Sequence, residues 1–397
     1  MNRSASDVLI TDGHWRKTLA AVRALGTQGV PVTVGESSRL AMAAFSRYCR
    51  HRLVYPSALI TPDRFLNRLY DVCRRRRFRM LLPMEDATVQ LLAARRSDFE
   101  RFTHLPLADP ETIRRAGDKA FVMQTAAGLG IPTPRTWHIH DLKQLNTLKK
   151  RLPYPVVIKP RCASGAIGVC YPQDAASFEK QYRIVHRRFP FPLIQERIPA
   201  DGAGFGASFL FDAGGRVKAS FVHQRLREYP LSGGASTLRI SVRRTDVLEM
   251  GRTLLTALKW FGVGMVEFKL DPRDGVPKLL EINPRFWGSL ALAVNAGVNF
   301  PYLMLRMARG DFFAPVERYR IGVQCRWFLP GDLLHFLASP DKRSLMPGFF
   351  RFRGPQKAYD ILSLTDPLPA LVKIISPLTF LYDPDMKQRL NQRKYML

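Results

Sequence analysis

Acidic residues are scarce in this 397-residue chain: 33 Asp and Glu stand against 61 Lys and Arg, a formal net charge of +28. An acidic partner would suit such a chain, and a basic one is disfavoured. The imbalance predicts attraction to polyanions or to an anionic membrane surface, and fast capture of anionic substrates. Cysteines are few, at 49, 73, 162, 170 and 325, with no Cys-x-x-Cys and no paired spacing. That excludes a disulfide framework and a cysteine-built metal site, and points to reduced thiols in a cytoplasmic setting. No uncharged apolar run reaches 18 residues, so no membrane-spanning helix is expected. Residues 1–7 are polar and lead directly into an apolar strand, so a cleavable leader is not expected. Two phosphate-binding signatures are missing, Gly-x-x-x-x-Gly-Lys-Ser/Thr and a Gly-x-Gly-x-x-Gly after the first strand, and there is no Ser–His or Cys–His nucleophile pattern. With 46% hydrophobic and 24% charged residues, the chain is globular and long enough for two or three domains.

What is present centres on Glu281-Ile282-Asn283-Pro284-Arg285, with Glu267 upstream in Val-Glu-Phe-Lys. Residues 263–270 and 277–282 read as short apolar strands joined by the Asp-Pro-Arg-Asp-Gly turn at 271–275. Such a hairpin puts Glu267 and Glu281 on neighbouring strands, and the two-residue period carries Asn283 to the same face. Two carboxylates and an amide oxygen form a hard oxygen site suited to Mg²⁺ or Mn²⁺ holding substrate phosphates. Arg285 adds a cation able to stabilise a transferring phosphoryl group.

Further upstream, Val156-Val-Ile-Lys159-Pro160 reads as a buried strand ending in a lysine. A loop of small residues follows, including Ser164, Gly165 and Gly168, whose backbone amides can approach phosphate oxygens closely. Lys159 would place a point charge on the α- or β-phosphate. Asp118 reads as the N-cap of a helix at 119–128, with Lys119 positioned to reach a phosphate from its first turn. Leu193-Ile-Gln195-Glu196-Arg-Ile198-Pro199 reads as an edge strand whose backbone can meet an adenine ring. There Glu196 would accept from the exocyclic amine, while Ile194 and Ile198 pack the ring.

The order of these parts, over about residues 110–308, resembles the ATP-grasp superfamily. Within it, the chain looks like the carboxylate–amine ligases related to the carbamoyl-phosphate synthase large chain and biotin carboxylase. The resemblance implies an α/β (α+β) architecture, an ATP-grasp fold preceded by a Rossmann-like domain and followed by a basic C-terminal extension. It also implies ATP and Mg²⁺ as cofactors. Lys119, Lys159 and a closing lid loop (Ser164, Gly165, Gly168) would hold ATP phosphates. Gln195, Glu196 and Ile198 would lie at adenine, and Glu267, Glu281 and Asn283 would hold the metal. Lys159 and Arg285 would act on the transferring group. The segment 221–237 corresponds to one lying beside the γ-phosphate and acceptor in such relatives, which assigns His223 to nucleotide phosphates and Arg225 or Arg227 to a substrate carboxylate. Phe286 and Trp287 would wall that pocket, and Gly288-Ser289 would open a helix able to receive an anion.

The implied chemistry is ADP-forming ligation of a small-molecule carboxylate and an amine through an acylphosphate. The alternatives are an ATP-grasp kinase or carboxylase, or a membrane- or nucleic-acid-associated protein with a regulatory nucleotide site.

Along the chain, residues 8–11, 30–34 and 79–82 read as strands around a helix at 15–25. Asp12 and Asp86 follow strand ends, where open parallel sheets bind ligands, and are expected second-substrate contacts, with His14 and Arg16 also available there. The expected divisions are 1–108, an ATP-grasp domain at 109–310 with a lid at 119–192 and a central sheet from 193, and a basic aromatic extension at 311–397. Residues 370–382 are apolar enough to lie in a membrane interface but too short to span one. An anionic membrane face is favoured over nucleic acid as a contact for the basic surface, and a homodimer is compatible with the same segment.

Overall fold

The computed structural model describes residues 8–163, 165 and 167–376. Its first unit is a four-stranded parallel sheet built from β1 (Val8–Ile10), β2 (Val32–Glu36), β3 (Cys49–Val54) and β4 (Met80–Leu82), in the order β3-β2-β1-β4. β1, β2 and β4 are buried on both faces, which is why they read as largely apolar runs. The Arg16–Gly26 helix covers one face with Leu19, Val22 and Leu25, one helical turn apart and fully buried. The Pro62–Arg76 helix covers another with Phe65, Leu66, Leu69 and Cys73. β3 is a strand that apolar patterning did not suggest, because Cys-Arg-His-Arg-Leu-Val lies at the sheet edge and is largely exposed.

A second unit is a small antiparallel sheet of β5 (Thr136–Trp137), β6 (Val156–Lys159) and β7 (Leu193–Glu196), in the order β5-β7-β6, with the Ala175–Arg188 helix packed on it through Phe178, Tyr182 and Val185. Two expectations change here. The 193–196 segment belongs to this small sheet rather than to the central one. It is also the middle strand, so its backbone is paired on both sides and offers no free edge. The Lys119–Gly128 helix, expected in the lid, instead buries Val122, Met123 and Ala126 in the core shared by the first unit and the main sheet.

The main sheet has seven strands: β8 (Gly204–Phe211), β9 (Val217–Tyr229), β10 (Ala235–Ser241), β11 (Gly262–Asp271), β12 (Val276–Asn283), β13 (Gln324–Arg326) and β14 (Lys357–Tyr359). Their order is β12-β11-β8-β9-β10-β13-β14, antiparallel except for the final pair. The β11–β12 hairpin matches the expected one, with Glu267 directly opposite Glu281. The glycine-rich run after Pro199 is a loop only as far as Ala203; from Gly204 it is a central strand.

The expected boundary after Gly310 is not a break in packing. β13 and β14 extend the main sheet, and the C-terminal segment fastens it to the first unit. Asp360 pairs with Arg239 on β10 and with Arg16 at 3.2 Å, and Asp366 pairs with Arg23 at 2.8 Å. Among the described residues, no helix is long and apolar enough to cross a membrane. Of the expected interfacial segment, residues 370–375 lie in the Leu368–Ile375 helix and 377–382 lie outside the described residues.

Candidate active site

The site forms on the face of the main sheet that the small sheet overhangs. Glu267 on β11 and Glu281 on β12 stand side by side, and Asn283 donates its amide to Glu267 Oε1 at 3.1 Å. From β9, Arg225 reaches across β8 to ion-pair with Glu267. It can do so because β8 presents glycine on that face. Gly204 lies opposite Arg225, and a Cβ there would come within 3.2 Å of the arginine chain. Gly206 lies between His223 and Glu267, and its Cβ would collide with the imidazole at 2.3 Å. Sequence reading missed these two glycines, although the Gly-Phe-Gly-Ala-Ser-Phe alternation, small on one face and aromatic on the other, carries the signal.

The two lysines arrive from the opposite side. Lys119 opens its helix beneath the Asp118 cap, and its Nζ lies 3.1 Å from Glu281 Oε2 and donates to the Ala163 carbonyl. Lys159 ends β6 and donates to the Leu280 carbonyl at 3.2 Å. That carbonyl is free for it because a β-bulge after Glu267 leaves Leu280 out of the β11–β12 pairing. Asp118 also ion-pairs with Arg161, tying the helix start to the loop that follows Lys159. Gly165 and Gly168 both take left-handed backbone, φ +67° and +71°. At Gly168 a Cβ would sit 2.8 Å from Pro160, so the turn requires glycine. Ser164, expected in the same loop, lies outside the described residues.

These neighbours pull the acids apart electrostatically. Burial lifts the Glu267 carboxyl above the ordinary range despite Arg225. Burial acts on Glu281 as well, but Lys119 and Lys159 outweigh it and hold that carboxyl down. Lys159 is pushed down to about 8, first by burial and then by Lys119, with Glu281 opposing. Its proton is therefore held below pH 8 and released above. The unfolded chain binds more protons between that value and the ordinary lysine range, so burying this amine costs stability below pH 8 and less as pH rises. If Lys159 binds phosphate, Mg-ATP affinity should fall as pH rises through 8, by up to about tenfold per unit. Calorimetric titration of Lys159→Arg, which cannot lose its proton, should flatten that dependence; an unchanged profile would remove Lys159 from the phosphate site.

Several expected site residues are engaged by other groups of the protein. Asp12 is buried, and its Oδ2 accepts from Thr11, Thr88, Met84 N and Glu85 N, so it organises strand ends and does not face substrate. Asp86 binds Arg285 at 2.8 Å, leaving the arginine turned toward the first unit. Burial works against the Arg285 charge, but Asp86 and Glu85 more than offset it and raise its pKa. Arg16 is taken by Asp360 and lies 4.0 Å over Trp327, and His14 donates its backbone amide to Glu36 at 3.1 Å. Arg227 is buried against Asp332 and the Pro347 carbonyl, so of the two candidate arginines only Arg225 reaches the site.

His223 bonds Ser289 Oγ at 3.2 Å, and burial, helped by Arg225 and Arg239, pushes its pKa down to about 3. A neutral imidazole brings no charge to a phosphate. Gln195 bonds Thr136, and the Glu196 carboxylate already accepts from the Arg135 amide at 2.8 Å and from Arg273 at 3.1 Å. Ile198, just past the strand end, is buried. Phe286 and Trp287 are core residues, with Trp287 edge-on to Phe300 at 5.0 Å. The helix after Ser289 has only 7 residues, too short to serve as an anion site.

The donor set at Glu267, Glu281 and Asn283 fits a hard cation: all its ligating atoms are oxygens on adjacent strands, and nearby cations now balance the acids. No cluster of three or more His, Cys, Asp or Glu side chains suited to a metal occurs among the described residues, so any metal here relies on an amide oxygen and on substrate.

Comparison with known proteins bears on the fold. The family model described as "ATP-grasp in the biosynthetic pathway with Ter operon" matches residues 215–327. The biotin carboxylase domain of Hydrogenobacter thermophilus 2-oxoglutarate carboxylase, solved with MgADP, ADP and bicarbonate, superposes with a TM-score of 0.65 at 16% identity, covering 80% of this chain and 73% of that one. The chain has an ATP-grasp fold. An L-amino acid ligase from Bacillus licheniformis shares the fold at TM-score 0.60 and 16% identity, over 77% of this chain and 76% of that one. In sequence, the carbamoyl phosphate synthase large chain of Gemmatimonas aurantiaca is 24% identical over 216 residues. That match takes in 52% of this chain but only 19% of the relative.

Proposed function

We propose that this ATP-grasp chain is an ATP- and Mg²⁺-dependent ligase joining a small-molecule carboxylate to an amine, with release of ADP and phosphate. The observation that carries the reading is the paired carboxylates Glu267 and Glu281 meeting two lysines, from a different helix and a different sheet, at one point. Glu267, Glu281 and Asn283 would hold Mg²⁺, which neutralises charge on the β,γ-phosphate oxygens. Lys119 and Lys159 would move from Glu281 and the Leu280 carbonyl onto ATP phosphates. Arg225, released from Glu267, would orient the substrate carboxylate by paired hydrogen bonds. The carboxylate takes the γ-phosphoryl group to give an acylphosphate and ADP, and the amine then displaces phosphate. Arg285 would turn from Asp86 toward the reacting oxygens. The loop carrying Gly165 and Gly168 would shield the acylphosphate from water.

The purified chain, incubated with Mg-ATP, pooled amino acids and other small carboxylates, and hydroxylamine, should form ADP and a hydroxamate only when a carboxylate is present. ADP formation that depends on carboxylate but yields phosphorylated product resistant to hydroxylamine would replace the ligase by a kinase. Bicarbonate dependence would replace it by a carboxylase.

A further inference from the structure

Between β13 and β14 the chain leaves the main sheet and builds a platform of aromatic rings. Phe336 stacks on Phe349 with centroids 4.1 Å apart, Phe328 meets Phe352 edge-on at 5.4 Å, and the Arg326 guanidinium lies 4.4 Å from Phe349. The inner ring, Phe349, is buried. The outer layer is not: Phe350 is 74% exposed, Met346 78% and Leu337 59%. Large apolar side chains displayed this fully over packed rings mark a contact surface rather than an unfilled core.

The charge around them is of one sign. Lys342, Arg343, Arg351 and Arg353 are all exposed. The only acid between 333 and 357 is Asp341, whose carboxylate accepts from the Arg343 and Ser344 amides of its own turn.

We propose that this segment, residues 336–353, is a docking site for an anionic phospholipid surface. Phe350, Met346 and Leu337 enter the boundary between headgroups and acyl chains, and the four cations meet lipid phosphates. Nucleic acid would reward the cations and could stack on Phe350, but gains nothing from the aliphatic Met346 and Leu337. A second copy of a chain carrying +28 is repelled by the same charge. The segment is also anchored to the catalytic half of the molecule: Arg227, on the strand that carries Arg225, binds the Pro347 carbonyl. The proposal does not depend on the ligase reading.

The test is co-sedimentation of the full chain with phosphatidylcholine vesicles, with and without phosphatidylglycerol, at near-physiological salt. Binding should require phosphatidylglycerol. Met346→Ser/Phe350→Ser and Arg351→Ala/Arg353→Ala should each weaken it at least about tenfold, with wild-type melting curves, since none of these side chains is buried. Undiminished vesicle binding by Met346→Ser/Phe350→Ser would overturn the proposal, because the attraction would then be general charge. So would duplex DNA that displaces the protein from vesicles and loses affinity in the arginine variant, or a solution dimer that the Met346→Ser/Phe350→Ser change dissociates.

Discussion

Glu281→Ala should lower turnover by at least about a thousandfold, equivalent to roughly 4 kcal/mol of transition-state stabilisation, while leaving nucleotide bound. The two effects separate because Glu281 faces two kinds of neighbour. Toward Glu267 and Asn283 it completes the oxygen set; toward Lys119 and Lys159 it is the counter-charge that keeps two close cations together. Without it the oxygen set is incomplete, but both lysines become available to phosphates. β12 is an edge strand and the Glu281 side chain is 26% exposed, so the melting temperature should move little. Turnover is read as ADP formation, binding by calorimetry. Near-normal turnover in a folded variant would end the metal assignment. Loss of both turnover and binding in a folded variant would instead make Glu281 an organiser of the lysines.

Asp360→Ala is expected to cost about 3–5 kcal/mol of stability, because it strands a buried charge. Arg239 is fully enclosed in the sheet, and Asp360 is its ion-pair partner. The same carboxylate accepts from Arg16 and from the Cys325 thiol at 3.1 Å. Burial alone would raise its pKa, but Arg239 and Arg16 outweigh it and hold the carboxyl below the ordinary range. The stabilisation is therefore present above the ordinary aspartate pKa and is lost as pH falls through the lower folded value. Arg114→Ala is a matched control. Its pair with Glu111 lies on an exposed helix face, 67% and 47% exposed, and should produce no resolvable shift. Equal melting of Asp360→Ala and the control would mean that the C-terminal segment does not hold the units together.

The hairpin, the two lysines and the Asp118 cap were legible because each is a local event: a turn between two apolar runs, a cap before a helix, a lysine at a strand end. Misreadings arose where the answer lies in what a side chain meets. Arg225 and Arg227 alternate identically along one strand, yet one reaches Glu267 over glycine and the other is consumed by Asp332. Glu196 has the chemistry to accept from an amine, but Arg135 and Arg273 arrive from other elements to claim it. Asp12 ends a strand as a ligand-binding residue would, but four donors from its own unit converge on one oxygen. Glycine is locally unfavourable in strands, yet Gly204 and Gly206 are retained in β8 because neighbouring side chains must pass over them.

By itself, the sequence determined the β11–β12 hairpin, the strands and helix caps carrying the two lysines, and the oxygen-rich chemistry of the hairpin face, since periodicity and turn residues act over a few positions. It also determined the excess of positive charge, which is a property of composition. Tertiary structure alone decided which charges are free. Every arginine and acid here can pair with several others, and the choice depends on distances set by strand order, the bulge at Leu280 and the return of the C-terminal segment onto the first helix. Those are long-range contacts, and no local pattern encodes them.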